Sequence, residues 1–495
     1  MGENIEKLKE HLRRISKFES AVSLLHWDLE TYMPKNASNK RAEIIGEIAG
    51  YAFKEFTSEK THELLQKAES EAQTIEDKAL IRVTKKEYEK SKKIPPELFI
   101  EFQIETSKAQ KAWENAKNED NYKLFEPHLE KIVTLSREIA DHLGYEENRY
   151  DALLDNYEPG IKTKELLNII PKLRNSLINL LEKIENADKP KKDILNGKFE
   201  ISKQKILSEY ILKKLNYDFK SGRLDLSEHP FTITISHNDV RITTKYDEND
   251  IKKGLFGTIH ECGHALYELG IPENLRGLPI GDGASMGIHE SQSRFWENII
   301  GRSLSFWKYF YPKLTEIFPH FSNIPLKEFW RGINTVEKSL IRVEADEVTY
   351  NLHIMLRFEI EESLINDKIK VSDLPDVWNK KMEEYIGIKP NSYKDGVLQD
   401  IHWAHGTFGY FPSYMLGNLY AAQIFNTIQK DLPNIESKIE NGEFIDILNW
   451  LREKIHSKGK IYEPQDLIYQ VTGERLNPNY FVDYLNSKYA KVYNL

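Results

Sequence analysis

The chain has 495 residues, of which 30% are charged and 40% hydrophobic, a composition typical of a globular protein with a large buried core. Its formal net charge of −9 argues against a nucleic-acid partner, because nucleic acids are bound by broad basic surfaces. The single cysteine, Cys262, excludes an intramolecular disulfide. The N-terminus lacks a secretory signal and no apolar run approaches the roughly 18 residues of a membrane span, so we expect a cytoplasmic protein without a membrane partner.

Apolar residues that recur every three or four positions predict amphipathic helices in the first part of the chain. The clearest stripe consists of Ile5, Leu8, Leu12, Ile15 and Phe18. We therefore expect residues 1–160 to form an N-terminal helical layer. The boundary near residue 160 is soft, and a single helical domain is the alternative.

The sequence period changes after residue 230. Two runs rich in β-branched residues, 231–235 and 240–244, flank the turn-like segment from Ser236 to Asp239, which predicts a β-hairpin over residues 231–244. Helical patterns fill most of the remaining chain. The sequence thus predicts a mainly α fold, in which residues 161–495 form a large helical body with a small hairpin or sheet at its edge.

A metal-binding pattern lies within one predicted helix, which Asp250 can cap and which Gly270 can end. His260 and His264 are four residues apart, so a helix places both imidazoles on one face, where they can share one ion. Zinc binds neutral imidazole and, in catalytic centres, leaves a coordination position for water. Glu261 lies about 100° further round the helix, from where it can reach that water as a general base.

The same helix contains three glycines and the only cysteine. Gly254, Gly257 and Gly263 lower helix propensity, which suggests that neighbouring backbone approaches closely. Cys262 points away from the ligand face and is predicted to pack in the interior rather than bind the metal.

The third ligand has to come from elsewhere in the chain, because no further histidine follows at short spacing. Residues 286–299 predict another helix, on which Glu290, His289 and Glu297 are all candidates. Spacing alone does not choose among these three residues.

Six motifs follow one another between residues 229 and 414. They are His229-Pro230-Phe231, Asp239-x-Arg241-x-Thr243, His260-Glu261-x-x-His264, His289-Glu290-Ser291-Gln292, Ile341-Arg342-Val343-Glu344-Ala345-Asp346 and Gly396-x-x-Gln399-Asp400-x-His402-Trp403. Together they resemble the carboxypeptidase Taq family of metallocarboxypeptidases. The resemblance extends to His26-Trp27-Asp28 near the N-terminus. It implies a mostly helical fold with a central active-site groove that the N-terminal helical layer covers and a few strands edge. It also implies His260, His264 and Glu290 as metal ligands, and a homodimer.

The segment from His402 to Tyr414 offers hydrogen-bond donors for a tetrahedral oxyanion, which needs a donor besides the metal. It resembles the donor-bearing region of related helical zinc peptidases. We favour Tyr414, with His405 second and His402 as a further catalytic candidate. Packing or backbone hydrogen bonds are the alternative for each of these residues.

A carboxypeptidase must also bind the terminal carboxylate of its substrate, and the planar fork of arginine suits that task. Arg342 and Arg241 are the candidates, although an intrahelical ion-pair network with Glu344, Asp346 and Glu347 is the alternative for Arg342. The other predicted substrate-binding residues are Asp239, His229, Gln399 and Tyr410.

These observations predict a metal-dependent carboxypeptidase that hydrolyses the C-terminal peptide bond of peptides with broad specificity, through a zinc-activated water and Glu261. We expect one zinc ion per chain, for which cobalt can substitute. A zinc oligopeptidase with endo or dipeptidyl-releasing action is the alternative within enzymes. A structural zinc in a helical scaffold is a second alternative, but such sites usually close with four Cys or His ligands.

Overall fold

The computed structural model describes residues 2–191 and 193–495. The first nine helices are α1 Glu3–Thr31, α2 Ser38–Phe56, α3 Glu59–Glu69, α4 Ile75–Lys93, α5 Pro96–Asn118, α6 Glu126–Leu143, α7 Tyr150–Leu154, α8 Thr163–Glu185 and α9 Ile201–Lys214. The strands β1 Leu224–Leu226, β2 Thr232–Ser236 and β3 Asp239–Thr244 follow. The next helices are α10 Ile251–Gly270, α11 Met286–Arg294, α12 Leu304–Ile317, α13 Leu326–Ile333, α14 Tyr350–Ile365 and α15 Leu374–Ile386. The last are α16 Phe411–Asp431, α17 Ile435–Glu440, α18 Ile445–Lys454, α19 Pro464–Thr472 and α20 Asn479–Tyr493.

The predicted fold class is confirmed, since helices dominate and strands form one small sheet within the described residues. The chain divides into two compact units, each assembled from three stretches of sequence. Unit 1 consists of Met1–Ser91, Lys191–Ile333 and Tyr420–Arg475, and unit 2 of Lys92–Pro190, Asn334–Leu419 and Leu476–Leu495. The domain boundary near residue 160 and the groove remain predictions. Among residues 2–191 and 193–495, no helix combines the length and apolar character needed to cross a membrane.

The core of unit 1 includes the apolar stripe of α1. Ile5, Leu8 and Leu12 are at most 3% exposed and pack with residues of α3, α4 and the segment after α10. This burial is the consequence of their helical spacing, which places them on one face. The predicted stripe is therefore confirmed, with Phe18 only half-buried at its end.

The sheet of unit 1 has the strand order β1-β3-β2. β2 and β3 form the predicted antiparallel hairpin, and Asn238 adopts a positive φ of 60° in its turn, a conformation that asparagine tolerates better than most residues. The short strand β1 pairs in parallel with β3 and was not predicted. As a result, β2 lies at one edge of the sheet and β1 at the other.

Helix α10 begins as predicted, because the side chain of Asp250 accepts a hydrogen bond from the backbone N–H of Lys252. Its Gly263 lies against the backbone of α11. A Cβ atom built at this glycine would lie 2.6 Å from the backbone oxygen of Gln292 and 2.6 Å from the Cα of Ser293. Gly257, in contrast, has no atom within 4 Å of such a Cβ. Close backbone approach is thus confirmed at Gly263 and wrong for Gly257.

Unit 2 is organised around α14, which is buried on nearly all sides. It packs against α6, α8 and α15. A helix in such surroundings normally carries apolar residues all round. α14 instead also buries Arg357 and Glu361, both with no exposed surface, so each needs polar partners from the protein.

The contact at Gly263 predicts opposite effects for two glycine substitutions in α10. We expect Gly263→Ala to destabilise the protein by about 1–3 kcal/mol, since the added methyl meets backbone that cannot rotate away. Gly257→Ala should stabilise it by up to about 1 kcal/mol, because only the helix propensity changes. Thermal unfolding followed by circular dichroism measures both. Equal midpoints for the two variants would contradict this view of the α10–α11 contact.

Candidate metal centre

Two histidines of α10 and one glutamate of α11 meet in unit 1. The ligand atoms of His260, His264 and Glu290 all lie within 4.8 Å of one another. Glu290 Oε2 is 3.6 Å from His260 Nε2 and 3.5 Å from His264 Nε2. The four-residue spacing on α10 places the two rings side by side, with centroids 4.9 Å apart. Helix α11 supplies the carboxylate that faces both rings.

These separations fit a small divalent cation. Zinc binds imidazole nitrogen and carboxylate oxygen at about 2.0–2.2 Å, so a tetrahedral site separates its ligand atoms by about 3.3 Å. The observed distances of 3.5 and 3.6 Å between Glu290 Oε2 and the two histidine nitrogens are close to that value. The donor set also has the chemistry of a catalytic zinc site, which takes three protein ligands and keeps one position open.

Each histidine has a second partner on the nitrogen that faces away from Glu290. His260 Nδ1 lies 2.9 Å from Glu297 Oε2. His264 Nδ1 lies 2.6 Å from His289 Nδ1, and His289 Nε2 lies 3.0 Å from Glu268 Oε1. Such outer partners fix the tautomer and orientation of metal-binding histidines. They leave the Nε2 atom of each ring directed at Glu290.

The charge of Glu290 is stabilised by its own helix. Arg294 Nε donates to Glu290 Oε1 over 2.7 Å, and Ser293 Oγ donates to Oε2 over 3.0 Å. Burial alone would raise the pKa of Glu290, but Arg294 and His260 outweigh it and hold that pKa well below its usual range. Burial lowers the pKa of His264 to about 4. A charged carboxylate and a neutral imidazole are the forms that bind a metal.

Glu261 stands beside this cluster but has different surroundings. Its side chain is 7% exposed, and burial raises the pKa of its carboxyl. Its hydrogen-bond partner is the hydroxyl of Thr232 on β2, which lies 2.7 Å from Oε2. Glu261 is therefore a buried acid without an arginine beside it, whereas Glu290 has one.

The hairpin motif places two predicted substrate-binding residues together. Arg241 Nε and Nη2 donate to the two oxygens of Asp239, each over 2.8 Å. The guanidinium of Arg241 also lies 4.3 Å from the ring centre of Trp27. His229 is exposed just before β2, and its backbone oxygen accepts a hydrogen bond from Ser227. The fork of Arg241 is thus already engaged by Asp239.

In unit 2, Arg342 is held by a carboxylate from a distant part of the chain. Its Nε and Nη2 donate to Asp400 Oδ1 over 3.0 and 2.8 Å, and its Nη1 donates to the hydroxyl of Tyr350. Asp400 also pairs with Arg357. The side-chain oxygen of Gln399 accepts hydrogen bonds from the backbone N–H of Arg342 and from Arg357 Nη2. Gln399 therefore supports the two arginines.

This arrangement corrects the alternative of an intrahelical ion-pair network around Arg342. The segment Arg342–Glu344 is one turn of 3-10 helix, and Ala345 after it is extended. Arg342 and the acids that follow it therefore do not share one face of an α-helix. The intrahelical ion-pair network of Arg342 with Glu344, Asp346 and Glu347 does not form. Asp346 instead accepts hydrogen bonds from backbone N–H groups of Glu337 and Thr349.

Three predicted site residues of unit 2 lie together. His402 Nε2 is 3.2 Å from the hydroxyl of Tyr414, and the rings of Tyr410 and Tyr414 lie 5.1 Å apart, centre to centre. The guanidinium of Arg342 is 5.0 Å from the centre of the Tyr414 ring. Burial lowers the pKa of His402 to about 4, so this ring is neutral at pH 7. His405 is exposed and lies outside these contacts.

A buried acid that sequence reasoning missed organises this segment. Glu361 accepts hydrogen bonds from Trp403 Nε1 over 2.9 Å, from the backbone N–H of Gly409 over 3.1 Å and from the hydroxyl of Tyr150 over 2.7 Å. Burial raises the pKa of Glu361 to about 7. The contacts to Trp403 and Gly409 connect both ends of the loop that precedes Tyr410.

Comparison with known proteins identifies the family of this chain. The sequence model of one family, the carboxypeptidase Taq (M32) metallopeptidases, matches residues 7–489. The chain belongs to this family.

Relatives within the family match over nearly their whole length. Carboxypeptidase 1 of Bacillus subtilis (strain 168) is 46% identical over 98% of this chain and 97% of its own. Thermostable carboxypeptidase 1 of Thermus thermophilus is 41% identical over 99% of this chain and 98% of its own. The crystal structure of an M32 carboxypeptidase from Deinococcus radiodurans R1 superposes with a TM-score of 0.98 at 34% identity, covering 100% of both chains. The recognised resemblance is therefore confirmed, and membership in this metallopeptidase family implies a metal.

Several residues around the site were not assigned these positions from sequence. Glu297 and His289 had been weighed as metal ligands, and the structure places them on the far nitrogens of His260 and His264. Thr232 carried no sequence signal beyond its place in a β-branched run. The partners Glu268, Asp400, Arg357 and Glu361 depend on tertiary contacts that spacing does not show, whereas Arg294 lies four residues after Glu290 on the same helix.

The geometry predicts a graded loss of metal from three variants. Glu290→Ala removes a ligand atom and should abolish tight binding, because two protein ligands remain. His289→Ala and Glu297→Gln remove only outer partners, and each should weaken binding by about 10–100-fold. Competition with a chromophoric chelator measures all three affinities. Full occupancy in Glu290→Ala together with loss in His289→Ala would reverse the assignment of the third ligand.

Proposed function

We propose that the protein is a metal-dependent carboxypeptidase that removes the C-terminal residue from peptides, with zinc as its metal. The observation that carries this proposal is the cluster of His260, His264 and Glu290 with the carboxylate of Glu261 beside it, in a chain of the carboxypeptidase Taq family. Two imidazoles favour zinc, or cobalt in its place, over magnesium, which prefers oxygen ligands. A cytoplasmic location and a homodimer remain predictions.

The residues of unit 1 divide the chemistry among them. His260, His264 and Glu290 would hold the ion, which when bound supplies Lewis-acid polarisation of the scissile carbonyl and of a water. Glu261 takes a proton from the attacking water and later passes it to the departing amine, acting first as base and then as acid. Burial raises the pKa of Glu261, which makes its carboxylate a stronger base toward the attacking water.

Each unit carries candidate substrate-binding features, and each is proposed separately. Strand β2 lies at an edge of its sheet, where an extended peptide can pair through its main chain without a demand on sequence. The terminal carboxylate is proposed to bind Arg342. Within the described residues, partners account for three of its five N–H donors, namely those to Asp400 and Tyr350. Tyr414, with His402 beside it, is the proposed oxyanion donor.

Release of single amino acids from an N-blocked dipeptide tests this function. The purified protein should contain about one zinc ion per chain, release the C-terminal residue, lose activity on removal of the metal by a chelator, and regain it on addition of zinc or cobalt. The matched C-terminally amidated dipeptide should be a poor substrate, since it lacks the carboxylate. Equal cleavage of the two peptides would favour the zinc oligopeptidase alternative.

Substitution of Arg342 locates the carboxylate-binding residue in the same assay. Arg342→Ala should reduce kcat/KM for the free-acid peptide by about one to three orders of magnitude. It should hardly change kcat/KM for the amidated peptide. Arg342→Lys should retain only part of the parent kcat/KM for the free-acid peptide, because the point charge of lysine does not replace the planar fork of arginine. Circular dichroism must match the parent, since Arg342 also holds Asp400.

Glu261→Gln separates catalysis from metal binding. The amide keeps the shape of the side chain but takes no proton, so kcat should fall by about 10²–10⁴-fold. The metal content should stay at the parent level, because Glu261 does not belong to the cluster of His260, His264 and Glu290 that is proposed to hold the ion. Steady-state kinetics and metal analysis on the same preparation decide the matter. A variant within about tenfold of the parent would exclude Glu261 as the base.

A further inference from the structure

Strand β2 presents two threonines to helix α10. Alternate residues of a strand share a face, so Thr232 and Thr234 lie on the side of the sheet that also carries their cross-strand neighbours Ile242 and Val240. Both neighbours are fully buried. A strand face covered by a helix is normally apolar, and two hydroxyls here need partners. Thr234 has Glu268 Oε2 at 2.9 Å, and Thr232 has Glu261.

The hydroxyl of Thr232 has two acceptors on Glu261. Its Oγ1 lies 2.7 Å from the carboxylate oxygen Oε2 and 2.9 Å from the backbone oxygen of the same residue. A hydroxyl carries one hydrogen, so it donates to one of these acceptors at a time or shares the hydrogen between them. Oε1 of Glu261 has no hydrogen-bond partner within the part of the chain that the structure describes. One carboxylate oxygen is therefore held and the other is open.

We propose that Thr232 is a positioning residue that holds Oε2 of Glu261, so that Oε1 is the oxygen that takes the proton of the attacking water. This inference rests on the proposed function, in which Glu261 is the general base. A free glutamate side chain samples many rotamers, and a hydrogen bond at its tip removes most of that freedom before the substrate arrives.

The second acceptor keeps Thr232 satisfied through the proton transfer. An O–H bond of the water breaks and its proton passes to Oε1 of Glu261. The water oxygen forms a bond to the carbonyl carbon, whose π bond breaks and leaves its electron pair on the carbonyl oxygen. The carboxyl is then neutral and Oε2 is a weaker acceptor. The Thr232 hydroxyl can turn to the backbone oxygen at 2.9 Å, so no buried donor is left without a partner. The proton then passes from Oε1 to the amine nitrogen as the C–N bond breaks, and the carboxylate returns.

A purely structural role would give Thr232 a different signature. If its hydroxyl only joined β2 to α10, its loss would lower stability and would affect the metal ligands as much as the base. A positioning role affects kcat alone, since substrate binding and metal binding use other groups. Thr244 on β3 provides a matched comparison, because its buried hydroxyl also faces α10, at the hydroxyl of Thr258.

Kinetics of three single variants test the proposal. Thr232→Val keeps the shape and removes the hydroxyl, and kcat should fall about tenfold to a hundredfold, the range for a hydrogen bond to a charged group. KM should stay within about twofold, because only the reacting state loses an interaction. Thr232→Ser keeps the hydroxyl and should recover kcat to within about threefold of the parent, less than the loss of such a bond. Thr244→Val should keep kcat within about twofold, because it leaves Glu261 untouched.

Metal affinity and a double variant complete the test. Thr232→Val should bind zinc as the parent does, and Glu261→Gln/Thr232→Val should be no slower than Glu261→Gln alone, because both changes remove the same action. Parent-like kcat in Thr232→Val, no recovery in Thr232→Ser, or an equal loss of metal or folded structure would overturn the proposal. If any of these outcomes occurs while Glu261→Gln is inactive, the role of Thr232 is overturned but the proposed function, with Glu261 as the general base, is not. An active Glu261→Gln would overturn the base assignment itself.

Discussion

The close contact of α10 and α11 at Gly263 is the constraint on which the metal centre depends. Gly263 directly precedes His264, and Gln292, whose backbone oxygen it meets, lies two residues after Glu290. The two backbones therefore touch beside two of the three proposed ligands. Their separation, and with it the 3.5 Å between His264 Nε2 and Glu290 Oε2, is set by main chain rather than by flexible side chains. A larger residue at position 263 would move the carboxylate away from the histidines.

Four buried glutamates surround the two histidines, and their partners give them different roles. Three of them, Glu268, Glu290 and Glu297, have an arginine and a histidine as neighbours, and their pKa values are lowered. The pKa of Glu261 is raised, because burial acts on it and its partner is a neutral hydroxyl. Acids whose surroundings separate their pKa values can serve different steps of one reaction. The permanently charged acids suit the ligand and its support, and Glu261 suits proton transfer.

The sequence predicted those features that depend on local spacing. The cap of α10 at Asp250, the hairpin and the facing pair His260 and His264 follow from periods of two, three or four residues, and the structure contains all of them. Glu290 could be chosen over His289 only through the family resemblance, because the choice depends on how two helices cross. Strand β1 was not predicted, because a strand of three residues is too short to show an alternating pattern in the sequence. The ion pair of Arg342 with Asp400 could not be predicted from spacing for a similar reason, since Asp400 is 58 residues away.

The charge balance in unit 2 bears on why a peptide with a free C-terminal carboxylate would be preferred over one with an amidated C-terminus. Asp400 is one negative charge between the two positive charges of Arg342 and Arg357, and all three are largely buried. Burial and the two arginines act on Asp400 in opposite directions, and the arginines hold its pKa well below the usual range. The nearest further acid on α14, Glu361, has a pKa of about 7 and is partly neutral at that pH. Even with Glu361 about half ionised, the cluster therefore retains a net positive charge in surroundings where charge is costly. A peptide carboxylate that binds there would neutralise it, whereas an amide would not, so discrimination between the two ends would arise from a charge that the fold itself leaves unbalanced.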